Sequence, residues 1–311
     1  MKLSIITPAF NEAVNLPLLH DRIAAVMARR QEEWEWIIVD DHSSDGTFGV
    51  VEELVLRDPR IRGVRLARNS GSHVAIACGL HLAAGDAAAL LVSDLQDPPE
   101  LIAQMLDRWQ NGAQVVWAVR RQRPGQPQHK AFATVYYWMM RRLVGLAGMP
   151  ARGADFFLID RLVVDAFCRS ADRNVSVFAL ITWLGFRQDS IEYDKQPRAH
   201  GRTGWTVARK VKLVVDSVVP FSDFPIRWCG YIGLGLMTLA GLVGVSALFL
   251  LPTLGAGLLL VTALVLGLSG LQLLALSVVG QYAWRAVDEA RRRPAYSIEA
   301  VAGTRQPSRL G

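Results

Sequence analysis

The stretch W-I-I-V-D-D-H-S-S-D-G-T (Trp36–Thr47) decides the fold class, because a short apolar run ends in a cluster of acids and hydroxyls. Similar short apolar runs alternate along the chain with longer segments of helical spacing. This alternation predicts an α/β fold with a mostly parallel sheet and helices on both faces. The predicted strands are Lys2–Thr7, Trp36–Asp40, Gly63–Leu66, Ala87–Ser93 and Gln114–Val119, and the predicted helices are Val14–Arg30, Thr47–Arg57, His73–Ala84 and Pro99–Gln110.

The polar residues of this region collect just after the predicted strands. In open sheets of this class, ligands bind beyond the carboxyl ends of the strands. Clusters that follow successive strands therefore indicate one shared site rather than unrelated loops. The clusters are Asn11–Glu12, Asp40–Asp45, Arg68–Ser72, Asp94–Asp97 and Arg120–Arg123.

The chain carries no charged residue between Arg227 and Arg285. This block is long enough for two membrane spans of about 20 residues each, which we place at Cys229–Leu251 and Leu258–Trp284. A buried hairpin in a soluble core is disfavoured, because soluble helices of this length show a polar face. The predicted division is a soluble domain (1–205), an interfacial amphipathic segment (206–228), two transmembrane helices (229–284) and a basic tail (285–311).

Basic residues flank the charge-free block on both sides, and such flanks stay in the cytoplasm. Met1–Phe10 lacks the pattern of a signal peptide. We therefore expect a multi-pass protein of the bacterial inner (plasma) membrane, with its soluble domain and both termini cytoplasmic. Phe132–Leu146, which mixes aromatic residues with arginines, fits either a helix at the membrane surface or a plain core helix.

Several motifs, in this order and spacing, resemble family 2 glycosyltransferases with the GT-A fold. The resemblance is to their polyprenyl-phosphate branch, which includes dolichol-phosphate mannose synthase-like enzymes and bactoprenol glucosyltransferases. It implies a GT-A catalytic domain in residues 1–205. The motifs are T-P-A-F-N-E (Thr7–Glu12), V-D-D-H-S-S-D-G-T (Val39–Thr47), S-D-L-Q-D-P-P-E (Ser93–Glu100), G-A-D-F-F-L-I-D-R (Gly153–Arg161) and R-R-R-P-A-Y (Arg291–Tyr296).

A nucleotide-sugar site is expected around the first three polar clusters. The acids of Asp40–Asp45 repel one another unless a ligand or backbone donors satisfy them, and an Asx-type turn with helix capping by Asp45 is the alternative. The resemblance implies that Asp41 contacts the ribose or base and that Pro8 and Glu12 line the base pocket. The nucleotide-sugar-binding candidates are Pro8, Glu12, Asp40, Asp41, Arg68 and Ser93.

The turn after the fourth predicted strand is the candidate metal site. A divalent cation can neutralise the charge that develops on a diphosphate leaving group, and Mg²⁺ or Mn²⁺ prefers oxygen ligands. Asp94 and Gln96 are the expected metal ligands, although Asp97-Pro-Pro-Glu also suits a helix N-terminus. The family commonly has an acid at the position of Val92, so the usual paired-acid motif is incomplete.

The acceptor side is predicted from charge. A lipid phosphate is already ionised, with a second pKa of about 6, and therefore needs cations rather than a general base. Arginine suits multidentate phosphate contacts, and the candidates are Arg120, Arg123, Arg198 and Arg202. Arg202 is the candidate substitute for a family lysine whose position holds Gly204. The resemblance implies that Asp155 acts close to the acceptor, and the catalytic candidates are Asp94, Asp97 and Asp155.

The resulting prediction is an inverting transfer of a hexose from a nucleotide-sugar to undecaprenyl or another polyprenyl phosphate, for modification of a cell-envelope glycan or lipid. UDP-glucose is the favoured donor, and GDP-mannose or an amino sugar is the alternative. A degenerate nucleotide-sugar-binding scaffold stays open because of Val92 and Gly204. A processive polysaccharide synthase is disfavoured, since the chain lacks Gln-x-x-Arg-Trp. The expected partners are the two substrates and the membrane, with a homo-oligomer left open. A nucleic-acid partner is not expected, because the basic excess collects beside the spans and not along a soluble stripe.

Overall fold

The computed structural model describes residues 1–121, 137–142, 144–146, 148–150, 154–170, 176–194, 231–232, 235, 238, 242, 254–290 and 294–303. The chain divides into two compact units. One unit comprises Met1–Ser217 and Pro294–Gly311, and the other comprises Val218–Arg293.

The first unit begins with four strands that alternate with helices, as the hydrophobic pattern predicts. The strands are β1 (Lys2–Ala9), β2 (Glu33–Asp40), β3 (Ile61–Leu66) and β4 (Ala87–Leu90), and the helices are α1 (Asn15–Met27), α2 (Thr47–Arg57), α3 (Ser72–Leu82) and α4 (Leu101–Gln110). The pairs β1–β2, β2–β3 and β1–β4 are all parallel. Strands β2 and β4 contain continuous apolar runs, as expected where both faces of a parallel sheet are covered, and Trp36, Ile37 and Ile38 of β2 are fully buried.

The described part of the sheet has eight strands in the order β7-β5-β6-β4-β1-β2-β3-β8. The later strands are β5 (Val115–Arg120), β6 (Ala154–Asp160), β7 (Gln188–Tyr193) and β8 (Ile298–Ala302), with helices α5 (Arg161–Arg169) and α6 (Val177–Trp183) between β6 and β7. Strand β6 runs antiparallel to β4 and β5, and β8 runs antiparallel to β3. The other strands share one direction, so the predicted mostly parallel α/β sheet is confirmed.

The two reversed strands place their amino ends at the edge where the parallel strands have their carboxyl ends. Ala154 at the start of β6 pairs with Val119 near the end of β5. Ile298 at the start of β8 pairs with Leu66 at the end of β3. Residues that open β6 and β8 therefore lie at the same edge as the polar clusters that follow β1 to β5.

Strand β8 was not predicted from the sequence, which assigned residues 285–311 to a basic tail. Its pairing with β3 makes Pro294 and the residues after it part of the first unit. The tail region therefore returns to the sheet after the apolar block and contributes a strand at its edge.

The described part of the second unit is mainly the helix α7 (Leu254–Ala290), which has 37 residues and contains the predicted span Leu258–Trp284. None of the helices among the described residues combines the length and the hydropathy that a bilayer span requires. The segment 206–228 and most of the predicted span Cys229–Leu251 lie outside the described residues. The two transmembrane helices stay predictions.

Candidate active site

Asp41 follows β2 and fixes the loop that follows β3. Its carboxylate is 4% exposed, and it accepts hydrogen bonds from the backbone N–H groups of Ser70 (2.7 Å) and Gly71 (2.8 Å). Gly71 has φ of 93° and precedes the first residue of α3, a backbone conformation that favours glycine. Burial raises the pKa of Asp41, aided by the neighbouring charge of Asp40 and opposed by the two N–H donors. Asp41, predicted to bind nucleotide, thus also positions the loop that carries the exposed Arg68.

Asp40 is fully buried and uses its two carboxylate oxygens differently. Oδ1 accepts hydrogen bonds from the backbone N–H (3.0 Å) and the hydroxyl of Ser43. Oδ2 has no hydrogen-bond partner among the described residues, and the guanidinium Nη1 of Arg65 lies 3.8 Å away. Arg65 also donates to the Ser43 carbonyl (3.2 Å) and to Glu299 on β8 (3.0 Å). Asp40 therefore depends on Arg65 for a nearby positive charge.

The loop after β1 is joined to the loop after β2 by hydrogen bonds. Asn11 has φ of 58°, a left-handed conformation that asparagine tolerates better than most residues. Its backbone N–H donates to Ser43 Oγ (2.9 Å), and its side-chain oxygen accepts from the Ser44 N–H (2.9 Å). The Glu12 N–H donates to Thr47 Oγ1 (2.9 Å) at the start of α2. The two loops, together with the strand ends that carry Pro8 and Asp40, therefore form one connected edge.

The turn after β4 carries the predicted metal ligands. Asp94 is 5% exposed, and its Oδ1 accepts a hydrogen bond from the Gln96 N–H (3.1 Å). Leu95 between them has φ of 59°, which is costly for a leucine and persists only where surrounding contacts enforce it. Ser93 donates its hydroxyl to the Pro8 carbonyl (3.2 Å) and thereby connects this turn to β1.

The residues of this turn fit a metal that is completed by substrate. Asp94 and Gln96 supply oxygen donors, which Mg²⁺ and Mn²⁺ prefer. Among the described residues, no group of three or more His, Cys, Asp and Glu side chains is arranged to hold a metal ion. Mg²⁺ commonly binds through one or two carboxylates together with substrate phosphates and water. The two oxygen donors of the turn therefore match the one or two protein ligands that such an ion usually takes.

A second cluster brings together side chains from the turn after β4 and from three strands. The Tyr193 hydroxyl, at the end of β7, lies 2.5 Å from Asp97 Oδ1 and 2.9 Å from Asp155 Oδ2. Arg120, at the end of β5, donates from Nε and Nη2 to the two oxygens of Asp155. Asp97 is fully buried, and the side chains of Asp155 and Arg120 are 10% and 27% exposed. Three predicted site residues thus meet around an unpredicted tyrosine.

The electrostatics of this cluster keep Tyr193 neutral and Arg120 charged. Burial raises the pKa of Tyr193 far above its ordinary value, and the adjacent Asp97 and Asp155 raise it further. For Arg120, burial works against the charge, but the hydrogen bonds and the negative charge of Asp155 outweigh it and raise the pKa. Tyr193 therefore acts as a hydrogen-bond donor and Arg120 as a fixed cation.

The structure accounts for most of the predicted site residues. Pro8, Glu12, Asp40, Asp41, Ser93, Asp94, Gln96, Asp97, Arg120 and Asp155 lie on connected loops and strand ends at one edge of the sheet, with Arg68 on the loop that Asp41 fixes. Arg123, Arg198 and Arg202 lie outside the described residues. Sequence reasoning missed Arg65, Tyr193 and Glu299. Arg65 and Tyr193 lie within or at the end of strands, and Glu299 lies on a strand that was predicted as tail.

This fold and site define a class of enzymes that act on activated sugars, and comparisons with known proteins agree. The model of glycosyl transferase family 2 matches residues 4–167. The chain is 34% identical over 307 residues to an uncharacterized glycosyltransferase, YkcC, of Bacillus subtilis (strain 168), with 96% of this chain and 94% of that protein covered. It is 30% identical over 308 residues to a prophage bactoprenol glucosyl transferase homolog of Escherichia coli (strain K12), with 97% of this chain and 99% of the relative covered.

A solved structure supports the fold. Mannosyl-3-phosphoglycerate synthase from Rubrobacter xylanophilus is similar with a TM-score of 0.52 and 20% identity, covering 71% of this chain and 73% of that chain. The chain therefore belongs to glycosyl transferase family 2 and is a glycosyltransferase. The resemblance in its motifs is confirmed, and the relatives of the same length include bactoprenol glucosyl transferases.

Proposed function

We propose that this glycosyltransferase transfers a hexose from a nucleotide-sugar to a polyprenyl phosphate, with inversion at the anomeric carbon. The bond between the sugar and the donor diphosphate breaks, an oxygen of the lipid phosphate forms the new bond, and a nucleoside diphosphate leaves. The observation that carries the proposal is that Asp97 of the acidic turn and Arg120 meet through Asp155 and Tyr193. An anion-binding group thus lies beside the donor turn.

The donor half of the proposed site is the connected edge formed by the loops after β1, β2 and β3. Pro8, Glu12 and Asp40 border it, Asp41 holds the third loop in place, and Arg68 supplies a cation. We favour UDP-glucose, because the aspartate at position 97 resembles glucosyl- or galactosyl-type members of the family, whereas aminoarabinose-type members tend to have asparagine there. GDP-mannose and an amino-sugar donor are the alternatives that the assay distinguishes.

Asp94 and Gln96 would hold a divalent cation, Mg²⁺ or Mn²⁺, at the turn after β4. The ion, when bound, supplies positive charge for the diphosphate leaving group. The protein itself keeps Asp94 in place through the Gln96 N–H and through the left-handed Leu95. Val92 removes one carboxylate from the family pattern, so the metal would depend on the donor phosphates for its remaining ligands.

The acceptor half of the proposed site contains Arg120, with Arg123, Arg198 and Arg202 as further candidates from the sequence. A lipid phosphate needs no general base, because it is ionised at neutral pH. The bactoprenol glucosyl transferase homolog of Escherichia coli supports this acceptor, since the similarity spans both chains. With such a lipid we propose a location at the bacterial inner membrane, with the catalytic domain on the cytoplasmic side.

The test is a panel of radiolabelled nucleotide-sugars with undecaprenyl phosphate in detergent, scored for lipid-linked product. We expect one donor to give product that depends on the lipid and on added Mg²⁺ or Mn²⁺, and we expect chelation to abolish it. Reactions without lipid and with Asp94→Asn protein are the controls. Lipid-independent transfer to a soluble acceptor would contradict the proposed acceptor.

A nucleotide-sugar-binding scaffold without turnover is the second candidate, favoured by the acid missing at Val92. It predicts donor binding without lipid-linked product for any sugar. Titration of the same protein with nucleoside diphosphates tests this candidate. Nucleotide binding without lipid-linked product from any donor supports the scaffold, whereas binding together with product supports the enzyme.

A further inference from the structure

We propose that Tyr193 is a positioning residue that fixes Asp97 of the donor turn relative to Asp155 of the acceptor side. The inference rests on the proposed function, because it assigns those two halves to donor and acceptor. No motif in the sequence pointed to this tyrosine. Its role is inferred from its contacts and from its place in the sheet.

The position of Tyr193 is set by strand pairing. Strand β7 runs parallel to β5, and Tyr193 lies in register with Arg120 at the end of that strand. The ring is 4% exposed, and it meets the ring of Phe156 edge-on with 5.6 Å between centroids. The side chain is therefore held on one side by β5 and packed on another by β6. Few alternative rotamers fit such a packed position.

The hydroxyl can donate only one hydrogen bond, although carboxylate oxygens lie at 2.5 Å and 2.9 Å. Two carboxylates this close repel each other unless a proton or a cation separates their charges. Asp155 already has the guanidinium of Arg120 on both of its oxygens. The tyrosine proton is therefore assigned to Asp97, because the Asp97 contact is the shorter of the two and both oxygens of Asp155 already accept from Arg120.

The result is an uninterrupted chain of contacts from Arg120 through Asp155 and Tyr193 to Asp97. Asp97 lies in the same turn as Asp94 and Gln96, so its position influences the alignment of the donor's reacting bond with the acceptor, while the loops after β1, β2 and β3 hold the nucleotide. Without the hydroxyl, the two carboxylates would move apart by electrostatic repulsion or admit water. Displacements of about 1 Å near reacting groups can cost about 100-fold in rate.

A positioning role predicts a loss of turnover with little loss of donor binding. In Tyr193→Phe we expect kcat for lipid-linked product to fall about 10- to 100-fold. The KM for the donor and the Kd for the nucleoside diphosphate should change by no more than about threefold, because the loops after β1, β2 and β3 are untouched. A general packing defect would weaken binding and turnover together.

The matched control is Tyr296→Phe. Tyr296 is a half-buried tyrosine whose hydroxyl also has a hydrogen-bonding partner, Cys78, and neither residue is among the proposed site residues. Its loss should cost stability without a change in turnover. A second comparison places 4-aminophenylalanine at position 193, which restores N–H donors on the same ring. Turnover there should recover to within about tenfold of the wild-type value. If Tyr193→Phe does not fold, the 4-aminophenylalanine variant alone tests the positioning role.

The experiment measures these variants, Asp155→Asn and the double variant Tyr193→Phe/Asp155→Asn as full-length protein with undecaprenyl phosphate. If Tyr193 acts through Asp155, the double variant should be no slower than Asp155→Asn alone. Wild-type turnover in Tyr193→Phe, independent losses that multiply, or no recovery with 4-aminophenylalanine would each overturn the positioning role. If the wild-type protein itself makes no lipid-linked product, the proposed function fails and this inference fails with it.

Discussion

Arg65→Met is the substitution whose effect the structure predicts most directly, because Arg65 contacts two acids of very different exposure. The carboxylate of Asp40 is fully buried, with Nη1 of Arg65 at 3.8 Å. Glu299 is 47% exposed and lies 3.0 Å from Nε of the same arginine. Both acids contact the same arginine, so we expect the difference in stability loss between the two substitutions to reflect the different burial of the two acids.

The expected loss in the free energy of unfolding depends on which charged group is left without its partner. Removing one partner of a buried pair costs about 3–5 kcal/mol. We expect about 3 kcal/mol for Arg65→Met, since the Arg65 side chain is itself 25% exposed. Glu299→Gln removes only the partly exposed partner and should cost about 0.5–1 kcal/mol. Asp40 keeps its cation in Glu299→Gln, so the loop after β2 should stay in place.

Urea unfolding of the full chain in detergent, followed by tryptophan fluorescence, measures the two stability losses. Titration with a nucleoside diphosphate measures nucleotide affinity, which reports whether the loop after β2 keeps its position. Arg65→Met should weaken nucleotide binding because Arg65 also holds the Ser43 carbonyl, whereas Glu299→Gln should bind nearly as wild type. Equal losses for the two variants would refute the reasoning, because Asp40 would then not depend on Arg65.

Three other substitutions and one topology test address the rest of the molecule. Asp94→Asn should lower turnover by about 100-fold or more without unfolding the protein, and near-normal turnover with added Mg²⁺ or Mn²⁺ would remove Asp94 from the metal site. Arg120→Ala should raise the KM for polyprenyl phosphate about tenfold or lower turnover similarly. The control is Arg121→Ala, which removes a more exposed arginine and should change neither quantity. A loss of nucleotide affinity in Arg120→Ala instead would contradict the division into donor and acceptor halves. Hydrogen bonds from Arg60 lower the pKa of Asp58 to about 2. The ionised Asp58 therefore stabilises the folded state fully above its unfolded pKa of about 4, and this stabilisation is lost as the pH falls towards 2. Unfolding measured as a function of pH should show that Asp58→Asn costs at most about 2 kcal/mol at pH 7 and almost nothing at pH 2. A reporter at Thr253 should lie on the side opposite to reporters at both termini, and a cytoplasmic Thr253 reporter would contradict the two predicted spans.

The parallel part of the sheet was predictable because its signals are local. Helix α2 has the predicted bounds, Thr47–Arg57, since a polar loop precedes it and its apolar residues recur at helical spacing. Strand β4 ends at Leu90 rather than at the predicted Ser93. After Leu90 the chain still bonds to β1 through the Leu91 N–H and the Ser93 hydroxyl, and it then turns away at Leu95, which is in the left-handed region. An apolar pattern alone does not show where such a turn begins.

The reversed strands were not predictable in the same way. The residues of β6 were recognised only as a motif, and β8 was predicted as part of a tail. Their strand character depends on pairing with β4, β5 and β3, which are distant in sequence. Pairing of this kind follows from tertiary context more than from intrinsic preference. Asp155 could be identified through the family motif, whereas Tyr193 and Glu299 required the sheet order.

The pairing of Arg120 with Asp155 changes how an acceptor phosphate can bind. A guanidinium has five N–H donors in one plane, and Asp155 receives bonds from Nε and Nη2. The Nη1 edge and the second Nη2 proton can still meet a phosphate without breaking that pair. A lysine could not hold both anions in fixed directions, because its ammonium is a flexible point charge. In the proposed function, Arg120 would therefore bind the acceptor and keep Asp155 in contact with Tyr193 at the same time, so that acceptor binding would not disturb the proposed donor turn.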